Sequence, residues 1–409
     1  MFCRVICEGY HWWMCNSALL ADGVVSTIVQ MSPLPQLSAR SEKLLQSRVA
    51  KRVSLRTDTV VDSERPRLRP LQVTWQMTRV SSWKTASARS VKSLPRDTNR
   101  FSTAEAFHLI EEVATMRVPV LALTGGDPLT RPDLFPIIEF AARQSVRTSL
   151  TLLPTPLLEP ATIAELKACG LLRVGFWVHG STPALHDSHC GATGLYRRTS
   201  VMIGACHEVQ LPVQVNTIVS RANFYDLDSM IELLIRLDVV LWNVAFLVPA
   251  SRDKADSMLS AREHEEVFGR LYRAAKRVHF QIKTTEAPHY RRYLLQQRMR
   301  ESGGRLKEPD VLASAAKAGN DVLGTIFIDD RGEAYPSRFL PLSAGDLTRQ
   351  SLPEVYCQSP LFVSLRDSSR LKGKCGRCFV RTVCGGSRAR AYVMTGDLFA
   401  PDPSCAFEP

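Results

Sequence analysis

The chain has 409 residues, 45% of them hydrophobic and 22% charged, with a formal net charge of +12. That composition belongs to a globular protein with room for one large domain and a smaller one, and it excludes a disordered or fibrous chain. The basic residues are scattered and read as a solvated surface, no run of about 18 apolar residues signals a membrane span, and eleven cysteines are too few for a disulfide scaffold, so a reducing, cytoplasmic setting is expected.

Residues 1–70 differ from the rest. Their apolar patches have no clean period, and residues 38–70 are rich in Arg, Ser and Pro. They read as an atypical, poorly ordered extension, with Cys3, Cys7 and Cys15 as incidental thiols or a metal trio. From residue 71 the pattern becomes regular. A strand is expected over 71–77, and a helix over 103–116 behind a Ser-Thr cap and Glu105. The stretch VPVLALTGGDPLTRPDLF follows. Its apolar run over 118–123 predicts a strand buried on both faces, ended by Thr124, Gly125 and Gly126. Asp127-Pro128 stops further ladder pairing, and Arg131-Pro132-Asp133 opens a helix over 132–143. The two glycines either admit a ligand to the backbone or make an ordinary tight turn.

Strands are then expected over 146–153, 172–178, 213–219 and 239–248. Helices are expected over 160–168, with Gly170 as a stop, and over 196–209, 226–237 and 263–278. Six βα units in succession predict an α/β fold, a partial (β/α)6 TIM-like barrel. Its site would lie at the strand C-termini: Thr78, Thr124, Pro154, His179, Ser220 and Pro249. Trp75, Trp177 and Trp242 fall in strands and read as core. His186, His189 and His207 read as surface residues. Arg291, Arg292, Arg388 and Arg390 read as solvated faces, or as contacts to an acidic substrate. Residues 286–290, EAPHY, fall in a loop beyond the sixth unit and receive no role.

Towards the C-terminus, residues 325–336 read as a hairpin around Asp330-Arg331-Gly332. Cys375-x2-Cys378-x5-Cys384, with Cys405 further on, supplies four thiolates. Four thiolates suit a [4Fe–4S] cluster or a tetrahedral zinc.

In the order of these motifs the chain resembles the radical S-adenosylmethionine (SAM) enzymes. Gly125-Gly126-Asp127-Pro128 looks like their GGEP motif, which holds the methionyl amino group of SAM. His179 stands where members carry a strand ending in Leu-Asp-Gly, with His186-Asp187 and Gly191 matching the stretch after it. Asn216 lies in a segment like the one near the ribose, and Val248 at the strand whose end helps hold the adenine. The cysteine spacing, with the run from Cys384 through Tyr392, resembles the small C-terminal iron–sulfur (SPASM or twitch) extension. The resemblance implies a barrel over 71–310 and an auxiliary-cluster domain over 311–409. It favours one auxiliary [4Fe–4S] cluster on Cys375, Cys378, Cys384 and Cys405 over zinc. It also implies SAM as a cofactor, a peptide or tetrapyrrole substrate, and an electron donor for an active enzyme. No membrane partner is expected. Nor is nucleic acid, because no face interleaves aromatic and basic residues.

One departure bears on mechanism. The family carries Cys-x3-Cys-x2-Cys after the first strand, and aligned on it the positions here are Ser81, Thr85 and Ala88. A protonated hydroxyl is a poor iron ligand and a methyl group is none. Cys3, Cys7 and Cys15 match only the first of the two spacings. His179 in place of Asp exchanges a carboxylate acceptor for an imidazole. The expectation is a radical SAM-type fold that does not cleave SAM reductively. The alternatives are an enzyme using other ligands or a partner's cluster, and a non-catalytic scaffold with a structural four-cysteine metal site.

Overall fold

Alternating burial sets the first strand, β1 (Gln72–Gln76), where Val73 and Trp75 face the core and Gln72, Thr74 and Gln76 turn the other way. The computed structural model describes residues 68–79, 101–303 and 324–409. The 1–67 extension, Cys3, Cys7, Cys15, Ser81, Thr85, Ala88 and the boundary at 310 therefore lie outside the described residues.

After β1 the chain alternates strand and helix: α1 (Thr103–Thr115), β2 (Leu121–Thr124), α2 (Leu134–Arg143), β3 (Thr148–Leu152), α3 (Pro160–Ala168) and β4 (Arg173–Trp177). Two helices, α4 (Pro183–Cys190) and α5 (Leu195–Glu208), precede β5 (Val213–Val219). Then come α6 (Leu227–Arg236), β6 (Leu241–Phe246), α7 (Ala261–Ala274), β7 (Gln281–Thr285) and α8 (His289–Glu301). The expected elements form within about four residues of their expected ends, the usual scatter of boundary readings. The capping box expected for α1 is present: Ser102 accepts from the Glu105 backbone and Glu105 returns the bond.

Neighbouring strands from β1 to β7 pair in parallel, each with the next. Their outward side chains share one core with the helices, including Leu109, Ile137, Ile163, Met230 and Phe268. Their inward side chains include Gln76, Thr124, Asn216 and Asn243, so the concave face is polar. Lys283 on β7 donates to Gln72 Oε1 on β1 at 2.8 Å, which shows how far the sheet curls. The chain thus forms an α/β fold with a TIM-like core.

The sheet also runs beyond six units. β7 is a seventh parallel strand. β8 (Thr325–Ile328) pairs in parallel with the free side of β1, then antiparallel with β9 (Glu333–Tyr335), which pairs with β10 (Gly345–Asp346). The expected hairpin over 325–336 is therefore present and joins the barrel sheet. Short helices follow: α9 (Leu352–Gln358), α10 (Pro360–Arg366), α11 (Gly373–Arg377) and α12 (Arg388–Thr395).

Each of the five turns leading from a helix into β2 through β6 has one residue with positive φ: Arg117, Ser145, Gly170, Gln210 and Asp238. Only the third is glycine, the residue that adopts this conformation without a steric cost.

Candidate functional site

The parallel pairing brings the C-termini of β1 through β8 to one rim. There the GGDP turn is locked to its neighbours. Gly126 N–H donates to Thr78 O at 2.8 Å. A Cβ on Gly125 would stand 2.6 Å from Thr78 Oγ1 and 3.0 Å from Thr78 O. Position 125 must therefore be glycine for the protein's own packing. Asp127 is fully buried; one carboxylate oxygen accepts from Leu129 N–H (3.1 Å) and the other from the Thr155 hydroxyl (2.7 Å). Pro128 then starts a short helical turn. Arg131 is buried over the Trp75 ring, 4.8 Å from its centroid, and pairs with Asp133 at 2.7 Å.

Further along the rim, His179 Nδ1 accepts from Ile218 N–H at 3.3 Å, and His179 N–H donates to His186 Nδ1 at 3.2 Å. The His189 ring stacks on His179 with centroids 4.2 Å apart. Burial, reinforced by the neighbouring His189 and His186, holds the His179 pKa well below the usual histidine value. Burial likewise brings His186 down to about 4. Trp177 stacks against His179, while Trp75 and Trp242 are core as expected. Asn216 Oδ1 accepts from Gln214 Nε2 (2.7 Å) and Asn243 Nδ2 (3.2 Å), making a polar rung inside the barrel. Val248 stands two residues beyond the end of β6. It packs with Leu340, Leu365 and Ala389 of the C-terminal region.

Several surface readings are corrected here. His186 is buried, His189 is half-buried, and only His207 is exposed. Arg291, Arg292, Arg388 and Arg390 are all buried rather than solvated. Arg390 is fully enclosed. It pairs with Asp402 at 3.1 Å and donates to Glu286 O at 2.6 Å. The 286–290 stretch has a structural role after all. Glu286 accepts from the Ser337 and Ser387 hydroxyls, and His289 and Tyr290 open α8. Asp402 also accepts from Ser387 N–H (2.7 Å) and Ser404 N–H (3.0 Å), joining the chain just after Cys384 to the chain just before Cys405. Hydropathy marks none of these groups as buried, because their charge is cancelled only by partners distant in sequence.

That clamp borders a second site. Cys375, Cys378, Cys384 and Cys405 line a single pocket with Arg292 and Phe407. Among the described residues, no three His, Cys, Asp or Glu side chains converge as a single metal ion would require. Burial pushes the Cys405 thiol up to about 11 while the Arg292 guanidinium pulls it back; burial raises Cys384 and Cys378 as well. Thiols so enclosed gain most by giving up their protons to a metal that takes the charge.

A family model described as the radical SAM superfamily matches residues 87–234. The AdoMet-dependent heme synthase of Methanosarcina barkeri is 33% identical over 340 residues, covering 83% of this chain and 97% of that protein. This chain belongs to the radical SAM superfamily. Another relative in the superfamily, the PqqA peptide cyclase of Rhizobium meliloti, is 26% identical over 326 residues, covering 78% of this chain and 82% of that protein. In fold, this radical SAM chain is similar to Streptococcus suis SuiB bound to S-adenosylmethionine. The TM-score is 0.66 at 12% identity, covering 90% of this chain and 88% of SuiB. None of the helices among the described residues is long and apolar enough to cross a membrane.

Proposed function

We propose that this radical SAM-superfamily chain has lost the donors for its radical-generating cluster and keeps one auxiliary [4Fe–4S] site. The distribution of sulfur carries the reading. Four thiols line one pocket, whereas the sequence after β1 offers Ser81, Thr85 and Ala88. Two alcohols and a methyl group do not fit a cluster that needs three thiolates, so no radical step is assigned to this chain. At the pocket the residues do fit. Cys375, Cys378, Cys384 and Cys405 would hold the auxiliary cluster, and bound there it would supply a one-electron couple. The cysteine spacing, which resembles that of the family's auxiliary-cluster extension, favours a cluster over zinc.

The site assignments at the rim belong to the same reading. Gly125, Gly126, Asp127, Pro128, His179, Asn216 and Val248 are the positions at which SAM would be held if the chain still binds it. The barrel over 71–310 and the cysteine-bearing region over 311–409 would be its two working parts, placed in the cytoplasm. The substrate lineage is radical modification of a tetrapyrrole or a peptide, as the names of the heme synthase and the peptide cyclase suggest. A scaffold that binds such a partner without SAM is the second reading. It is favoured by the way Asp127, His179 and Asn216 already bond to protein groups.

Iron and sulfide analysis after anaerobic reconstitution, with an EPR spectrum of the reduced protein, tests the reading. One cluster per chain and no 5′-deoxyadenosine is the expected result. Two clusters, or reductive SAM cleavage by the unaltered chain, would falsify it. The triple variant Ser81→Cys, Thr85→Cys, Ala88→Cys should gain a second cluster if only the donors have been lost.

A further inference from the structure

Arg292 reaches the four-thiol pocket from α8, an element of the barrel side of the chain rather than of the cysteine-bearing segment. Its side chain is only 4% exposed. Two of its nitrogens are taken: Nη2 pairs with Glu265, and Nη1 donates to Gln296 Oε1 at 2.6 Å. Nε is buried and has no hydrogen-bond partner. The guanidinium also lies over the Phe407 ring, 5.3 Å from its centroid, so its plane is held between the pocket wall and α7.

Two other cations line the same pocket, and both are committed elsewhere. Lys374 Nζ donates to Cys405 O at 2.6 Å and pairs with Glu408 at 3.1 Å. Arg381 donates to Gly376 O at 2.8 Å on the exposed side. Arg292 is therefore the buried cation of the pocket. A cluster held by four thiolates is an anion, and adding an electron makes it more so. In a low-dielectric pocket a fixed positive charge favours the more negative state. Sulfur is also an acceptor, and hydrogen bonds to cluster sulfurs are among the features that set its potential.

We propose that Arg292 is the charge-compensating residue of the four-cysteine site and makes the bound cluster easier to reduce, with Glu265 opposing it. The proposal rests on the auxiliary-cluster reading above. The couple adds one electron from a supplied reductant and makes or breaks no bond.

The test is a redox titration of the reconstituted full-length chain, followed by EPR. Arg292→Met should shift the reduction equilibrium about tenfold against the reduced state, about 59 mV for a one-electron couple. Glu265→Gln should shift it the opposite way, and Arg292→Lys should lie between Arg292→Met and wild type. Opposite shifts are the signature that loosened packing would not produce. Shifts of the same sign in Arg292→Met and Glu265→Gln, or no shift in either, overturn the proposal. If the wild-type chain takes up no iron, the auxiliary-cluster reading fails and the proposal falls with it; iron uptake without the opposite shifts overturns the proposal alone.

Discussion

The rim of the barrel and the four-thiol pocket differ in how their polar groups are spent. At the rim, both oxygens of Asp127, the Nδ1 of His179 and the amide oxygen of Asn216 bond to the protein itself. At the pocket, four thiols line one space, where Cys378, Cys384 and Cys405 meet only neighbouring backbone N–H groups, and the buried Nε of Arg292, which also lines it, has no partner. A site built for a bound group leaves donors and acceptors that only that group can satisfy. A site that has mostly bonded to itself, with the buried Thr78 Oγ1 left unpaired, can persist as architecture. On the proposed reading, shape and ligand chemistry part company within one chain. The GGDP turn is retained by packing against Thr78, which any folded descendant must keep.

The largest expected effect tests the frame of the pocket. Asp402→Ala removes the partner of enclosed Arg390 and two backbone caps, so stability should fall by about 3–5 kcal/mol in urea unfolding. Burial opposes the Asp402 carboxylate, but Arg390 and then His289 outweigh it and hold its pKa far below the usual range. The folded state therefore binds fewer protons than the unfolded one, and the wild-type advantage should shrink below about pH 4. A loss under about 1 kcal/mol would show that the clamp does not frame the pocket.

Acid should act on both regions alike. Burial depresses His186 at the rim and His264 on the pocket side, each to about 4. The unfolded chain protonates these rings near pH 6.5 while the folded chain keeps them neutral. Stability is thus present at neutral pH and declines as pH falls from 6.5 to 4, by up to roughly 3 kcal/mol for each histidine. Melting curves across that window should show the decline, and His264→Phe should remove its own share. A flat profile would mean that these rings are not neutral in the fold.

Asp127→Asn addresses the rim directly. It should cost about 1–3 kcal/mol in stability through the bonds to Leu129 and Thr155, with no SAM binding by calorimetry before or after the change. Reduced SAM affinity with stability intact would make the rim a working binding site and erase the contrast. The smallest effect belongs to the scaffold that both regions share. Ser145→Gly relieves a non-glycine residue at positive φ and should stabilise by up to about 1 kcal/mol.

Much of the barrel was legible because burial there follows simple periods. Strands read as apolar runs, helices as stripes, and α1 as a capping box. β7 was not legible: QIKTT is polar and borders only one strand, so it has no apolar run to announce it. Four of the five helix-to-strand turns were hidden because Arg117, Ser145, Gln210 and Asp238 carry no glycine signal, whereas Gly170 did. The cysteine spacing was visible because metal ligation constrains sequence directly. Arg292, Arg390, Asp402 and Glu286 were invisible as buried groups because each depends on a partner a dozen or more residues away, which no local pattern encodes.

The parallel pairing of β1 with β8 has a consequence for how the chain is made. Gln72 lies opposite Thr325, so a strand that leaves the ribosome early waits for about 250 further residues before its second neighbour exists, a contact order that slows folding. Until then one edge of β1 stays open to pairing with other chains, a hazard during synthesis. Ending translation before β8 would leave that edge bare, so the C-terminal region is bound to the barrel by the demands of folding as well as by any cofactor. Loss of catalysis would remove one reason to keep it and leave the other in force.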